Sequence, residues 1–319
     1  KGIIHMAGSA IINAVWDLIA KKDNKPIWML FSEMSPEEFA SIIDYRHMSD
    51  VLDKKEAIDI LKKLDSTKQD RITNLSKEGY PSYVTSAGWL GYSDEKIKTL
   101  CIEASKKGFK HVKLKVGKNL NDDVRRLAVV RETLGDDVNI LLDANQVWEV
   151  DEAIKWMKEL SKFNPYFIEE PTSPDDILGH RKIKDAIYPI KVATGEAVQN
   201  RIIFKQLISH KAIDIVQIDA CRMGGINEAL AVQLIAKKFD IPVWPHAGGV
   251  GLCEYVQHLA MIDYISISGK KSENVIEYVD HLHEHFVNPV QLRNINYMPP
   301  NYPGFSIDLK PYVFKKYKF

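Results

Sequence analysis

The chain has 319 residues, 45% of them hydrophobic and 27% charged, with 43 basic and 43 acidic side chains. That composition is ordinary for a globular protein, and the length suits one barrel of about 250 residues with additions. The balanced charge supplies no global field for nucleic acid or a membrane surface. Three cysteines without paired spacing, Cys101, Cys221 and Cys253, favour reduced thiols over a disulfide framework.

No apolar run is read as reaching bilayer-crossing length, and no signal peptide is apparent. The opening Lys1-Gly2-Ile3-Ile4-His5 lacks a Met and reads like the interior of a longer protein. A cytoplasmic or mitochondrial setting is expected, with no targeting segment visible in this chain.

Residues 9–22 place Ile11, Ile12, Val15, Leu18 and Ile19 on one helical face. Ser35-Pro36-Glu37-Glu38 is a helix start, with Pro at the first position and acids in the first turn. Lys54 to Leu64 and Lys68 to Lys77 continue as helices. Consecutive helices do not fit a βα alternation, so residues 1–80 are expected to form an N-terminal helix and helical insertion.

From about residue 82 the alternation becomes regular. Strands are predicted at Ser82–Thr85, His111–Val116, Asn139–Asp143, Tyr166–Glu169, Ile190–Thr194, Ile213–Asp219, Pro242–Pro245 and Tyr264–Ile267. Helices are predicted between them at Asp94–Lys107, Asn121–Leu134, Asp151–Phe163, Asp175–Ala186, Arg201–His210, Ile226–Phe239 and Gly251–Met261. This α/β pattern predicts a closed parallel barrel over 81–285. An open doubly wound sheet fits less well, because no Gly-rich phosphate fingerprint follows the first strand. Residues 286–319, rich in Pro, Asn and Tyr, are expected to form an extended tail.

Function in such a barrel sits at the C-terminal ends of the strands. Asp143, Glu169 and Glu196 are 26 and 27 residues apart, about one βα unit each. Acids at neighbouring strand ends converge, and converging carboxylates repel unless a cation holds them, so the spacing predicts an oxygen-loving divalent ion. The second strand adds Lys113 and Lys115, two apart and on one face. Asn145, Asp219, His246 and Glu277 stand at further strand ends. Each has a plainer reading alone: a solvated lysine face, a helix-capping Asp, a turn, a satisfied core histidine. Jointly, on one rim, they point to a site. Met223-Gly224-Gly225 reads as a helix start, and His281, His283 and His285 as a partly exposed segment.

The ordered set Lys113-x-Lys115, Asp143-x-Asn145, Glu169-Glu170-Pro171, Glu196, Asp219 and His246 resembles the mandelate racemase subgroup of the enolase superfamily. The stretches 170–180, 245–254 and 276–285 are similar to L-fuconate dehydratase and its animal mitochondrial relatives. The resemblance implies a TIM-like (β/α)7β barrel. It implies Mg2+ on Asp143, Glu169 and Glu196, with Lys115 facing the His246–Asp219 pair across the substrate. It also implies substrate contacts from Lys113 and Glu277, and Asn145 is placed with them at the rim. The lysine base must be neutral when it acts, and the like charge of Lys113 works in that direction. The expected partner is a small sugar acid, with neither nucleic acid nor membrane, and a homo-oligomer is left open. The expected reaction is dehydration of an L-fuconate-like acid to a 2-keto-3-deoxy acid. Alternatives are another acid-sugar dehydratase or an epimerase, a non-catalytic barrel, and a Schiff-base aldolase that would leave the three acids idle. Members of this family carry an N-terminal capping domain, and most of it is expected to be absent from this chain.

Overall fold

The computed structural model describes residues 2–318. Five helices come first: α1 (Ile3–Lys22), α2 (Ile27–Ser32), α3 (Pro36–Ser41), α4 (Lys54–Asp65) and α5 (Lys68–Glu78). Ser35 and Asp53 cap α3 and α4 through reciprocal capping boxes with Glu38 and Glu56, satisfying N–H groups that a helix start leaves open.

A regular alternation follows: β1 (Ser82–Gly88), α6 (Asp94–Lys107), β2 (His111–Lys115), α7 (Leu120–Leu134), β3 (Asn139–Asp143), α8 (Val150–Leu160), β4 (Pro165–Glu169), α9 (Ile177–Ile187), β5 (Lys191–Thr194), α10 (Arg201–Ser209), β6 (Ile215–Val216), α11 (Ile226–Lys238), α12 (Leu252–Ile262) and β7 (Ile276–Tyr278). The seven strands are all parallel, in the order β6-β5-β4-β3-β2-β1-β7. The stretch 242–246 closes this curled sheet. Trp244 N donates to Val216 O at 2.8 Å, His246 N to Ile218 O at 3.1 Å, and Glu277 N to Pro245 O at 3.5 Å.

One expected strand is overturned. Tyr264–Ile267 lies in a π-helical turn, Asp263–Ser268, that continues α12, and the closing strand is β7. The alternation Tyr-Ile-Ser-Ile looks like a strand, but backbone hydrogen bonds propagating from α12 decide its conformation. The sixth strand is also shorter than expected, at Ile215–Val216.

The helix α1 departs from expectation in two ways. By length and composition alone it is long and apolar enough to cross a membrane. Its apolar face is also turned outward, with Ile11 and Leu18 each 67% exposed. Its polar face is the buried one. Asn13 Oδ1 accepts from Ile226 N at 2.9 Å, and Trp16 Nε1 donates to Asn227 Oδ1 at 2.8 Å, so both bind α11. Past the barrel, β8 (Leu292–Arg293) pairs antiparallel with β9 (Asn296–Tyr297), and α13 (Pro311–Lys316) follows.

The barrel is filled in layers. Tyr83, Leu141, Phe167, Ala193, Ile215, Trp244 and Val275 form one buried apolar cluster contributed by successive strands. Side chains alternate along a strand, so the next inward position lies two residues on. From Leu141, Phe167, Ile215, Trp244 and Val275 that step leads to Asp143, Glu169, Gln217, His246 and Glu277. Polar groups therefore stack directly on an apolar plug.

A candidate metal and acid–base centre at the barrel mouth

Register sets the first part of the site. Lys115 is paired with Asp143, and Asp143 with Glu169, so three strand ends align side by side. Glu196 follows β5 after Gly195, whose φ is +148°. A Cβ at Gly195 would lie 2.3 Å from Gln217 O, so only glycine lets the chain pass there. Ligand atoms of Asp143, Glu169 and Glu196 lie within 4.8 Å of one another. Three hard oxygen donors at that separation suit a small divalent cation.

Each of these acids also touches a cationic side chain. Lys115 Nζ contacts Asp143 Oδ2, Lys113 Nζ lies 2.9 Å from Glu169 Oε2, and His246 Nε2 lies 3.3 Å from Glu196 Oε2. Burial and the neighbouring Asp143 push the Glu169 carboxyl well above the usual carboxylate range, even against Lys113. Burial and crowded acids thus disfavour a full set of ionised carboxylates here, the condition that a bound cation would relieve.

Lys113 and Glu277, expected at the substrate, are paired with each other. Both are buried, and Lys113 Nζ lies 2.8 Å from Glu277 Oε1. Glu277 Oε2 also accepts from Ala247 N at 2.8 Å. Burial disfavours the Lys113 ammonium, but Glu169 and Glu277 outweigh it and hold its pKa well above the ordinary lysine value. Burial likewise opposes the Glu277 carboxylate, yet Lys113 and His246 bring its pKa down to about 2. Lys113 Nζ also lies 3.6 Å from Asp143 Oδ2, the oxygen that Lys115 contacts, so its charge is shared among Asp143, Glu169 and Glu277.

His246 ends the stretch 242–246 that lies between β6 and β7. Its Nδ1 lies 3.1 Å from Asp219 Oδ2, and Gly248 N lies 3.1 Å from Nε2. Burial lowers the proton affinity of the ring. The Asp219 hydrogen bond and the charges of Glu277 and Glu196 overcome it and lift the pKa to about 9. Asn145 is exposed at the rim, with its backbone N–H bonded to Asp143 Oδ1 at 2.9 Å.

The structure adds residues that sequence reasoning missed. Gln217 is buried and donates to Glu169 Oε2 at 2.7 Å. It lies two residues before Asp219, the same spacing that singled out the lysine pair. Glu170 is buried, its pKa raised to about 7 first by burial and then by Glu196 and Asp143, and it accepts from Gln146 Nε2 at 2.8 Å. Asn145, Gln146 and Glu170 all have positive φ, between 44° and 66°. These three are among twelve non-glycine residues with positive φ among the described residues, so the left-handed backbone is a local feature of the rim and not special to it. The unabsorbed histidines are satisfied elsewhere: His283 Nδ1 lies 2.7 Å from Glu254 Oε1, and His285 Nδ1 lies 2.8 Å from the Tyr312 hydroxyl.

Residues 96–313 match the family described as enolase C-terminal domain-like. The chain belongs to the enolase superfamily. Within that family it is 51% identical to human mitochondrial enolase superfamily member 1, over the whole chain and 72% of that protein. The crystal structure of the human protein superposes with a TM-score of 0.98, covering 100% of this chain and 73% of that one. An L-galactonate dehydratase of Hypocrea jecorina is 52% identical, again over the whole chain and 72% of its own length. An L-talarate/galactarate dehydratase from Salmonella typhimurium LT2, crystallised with Mg and L-lyxarohydroxamate, is 26% identical with a TM-score of 0.73, covering 98% of this chain and 66% of that one. The mandelate racemase-like superfamily neighbours thus share the barrel that carries these residues.

Proposed function

We propose that this enolase-superfamily chain dehydrates a sugar acid, of the L-fuconate type, to a 2-keto-3-deoxy acid with Mg2+. The observation that carries the reading is the in-register row Lys115–Asp143–Glu169 together with the His246–Asp219 hydrogen bond, a pair that this reading sets opposite Lys115. Relatives named as dehydratases of galactonate and galactarate support the reaction class.

In this reading Asp143, Glu169 and Glu196 hold the ion, which supplies electrostatic stabilisation where carboxylate charge builds up. That pairing of a Lys or His base with Mg2+ is the pattern known for enolase-superfamily sites. Lys115 takes the proton from C2 of the acid. His246, protonated and oriented by Asp219, gives its proton to the hydroxyl on C3, the C3–O bond breaks, and water leaves. The enol that remains tautomerises to the 2-keto acid. Lys113, Glu277 and Gln217 hold Glu169 and the floor of the site, and Asn145 is assigned to the substrate at the rim. A capping domain over the rim would add water exclusion. Of the cytoplasmic and mitochondrial settings expected, the mitochondrial one agrees with the name of the human relative.

The test is a panel of sugar acids assayed for 2-keto-3-deoxy product, with and without Mg2+ and after EDTA. Cation-dependent product from one or a few acids is expected. Exchange of the C2 proton without loss of water would assign an epimerase instead. No exchange with any acid would remove the catalytic reading.

A further inference from the structure

Arg126, on α7, belongs to neither the carboxylate trio nor the His246 pair, yet it is fully buried. Its Nη1 donates to Lys115 O at 2.7 Å. Its Nη2 donates to Gly88 O at 2.8 Å and to Trp89 O at 3.1 Å. One guanidinium therefore grips the last residue of β2, the last residue of β1 and the first residue of the loop beyond. This reach depends on Gly88, where an added Cβ would lie 2.4 Å from Leu114 Cγ and hold the two strands apart.

Asp123, one turn earlier on α7, completes the grip. It lies 3.3 Å from Arg126 Nη1 and accepts from Gly117 N at 2.8 Å. Val116 N donates to Asp143 O at 2.9 Å, so the peptide that follows Lys115 is held on both edges. The Trp89 ring centroid is 5.6 Å from Lys115 Nζ. A buried cation recruited for stability alone is a poor choice, because desolvation consumes most of what pairing returns. Here three of its four polar contacts go to carbonyls around Lys115.

We propose that Arg126 is a positioning residue for Lys115, fixing the backbone of the base and the Trp89 wall beside it. This rests on the reading of Lys115 as the base. A fork of parallel donors suits the task and an ammonium does not, since lysine cannot span carbonyls on two strands.

Two variants test it. R126K keeps a charge beside Asp123 but loses the fork, and the double variant R126M/D123N removes the pair together, so no lone buried carboxylate remains. Three quantities are read: C2-proton exchange in D2O at saturating substrate, acetic anhydride labelling of Lys115 relative to the exposed Lys118 by peptide mass spectrometry, and the thermal midpoint. A displaced base is expected to lower the exchange kcat about 10- to 100-fold while KM changes little. Labelling of Lys115 relative to Lys118 should rise several-fold. Unchanged exchange per folded molecule and unchanged labelling, with only a lower thermal midpoint, would make Arg126 merely structural and overturn the proposal. If the unsubstituted protein exchanges no proton from any acid, the base reading fails, and the labelling ratio alone decides whether Arg126 fixes Lys115. Should the double variant fail to fold, R126K still gives both readouts.

Discussion

Lys113 and Glu277 meet 2.8 Å apart beneath the barrel mouth, although 164 positions separate them in the chain. The strands that carry them, β2 and β7, flank β1 on its two sides. The contact also reaches Glu169, whose Oε1 accepts from the same ammonium at 3.0 Å. With Asp143 Oδ2 at 3.6 Å, one cation thus serves three buried acids.

Removing that cation should be costly. Lys113→Met takes the shared ammonium away from Asp143, Glu169 and Glu277 together, and loss of one member of a buried ionic cluster costs about 3–5 kcal/mol. Chemical denaturation should show it, and adding Glu277→Gln to the variant should recover part of the loss. Equal stability of the single and double variants would mean the carboxylates do not depend on Lys113.

Lys115→Ala should abolish C2-proton exchange while leaving divalent-ion affinity nearly intact, because Lys115 contacts Asp143 but supplies no carboxylate of the trio. Calorimetric titration with Mg2+ and exchange in D2O measure the two separately. Retained exchange would remove Lys115 from the base role.

A bound ion that prefers the folded state raises stability by mass action, by about 2.7 kcal/mol at a hundredfold excess over Kd. Millimolar Mg2+ should therefore raise the thermal midpoint, and Glu196→Gln should shrink the rise. The choice of Glu196 matters. It is the least buried of the three acids, so the isosteric change disturbs packing least.

Asp219→Asn should depress turnover with little effect on substrate binding. The amide cannot reproduce the carboxylate that accepts from His246 Nδ1 at 3.1 Å, so the ring loses its fixed tautomer. The exchange assay separates two roles. Proton abstraction by Lys115 should persist at a reduced rate while release of water falls further.

Stability should carry a pH signature from Asp263, far from the mouth. It is buried, Asn274 Nδ2 donates to its Oδ2 at 3.1 Å, and burial lifts its pKa from 3.8 to about 7. The folded state therefore binds this proton more tightly than the unfolded chain does. Its contribution is fully present below about pH 4 and is lost as pH rises through 7. Asp263→Asn should raise the thermal midpoint at pH 8 and change it far less at pH 4. An equal change at both pH values would show that the carboxyl does not titrate in this window.

Much of the barrel was readable because its period is chemical. The acids recur at the length of a βα unit, and α6, with Ser93 accepting from Lys96 N at its cap, runs over the predicted Asp94–Lys107. What escaped was whatever depends on contacts remote in the chain. Ile265 and Ile267 alternate like strand residues, but hydrogen bonds inherited from α12 wind them into a helix. The residues Ile11, Val15 and Leu18 mark an apolar face, yet periodicity says nothing of which side meets α11, and Asn13 and Trp16 take that place. Lys113 was recognised as part of the site from its spacing, but its partner Glu277 could be found only once β2 and β7 were seen to flank the same strand. Gln217, an uncharged residue just past the short β6, carried only the two-residue step from Asp219.

The register of β3 against its neighbours bears on how such a site can change over time. Side chains alternate, so one residue inserted in β3 ahead of Leu142 would swing Asp143 outward toward the helices and turn Leu142 into the mouth. The barrel would survive with an oily patch where an acid had been. Substitutions at the mouth can drift one at a time, but insertions and deletions are confined to the loops. The catalytic floor and the scaffold are thereby locked to a single reading frame of the sheet.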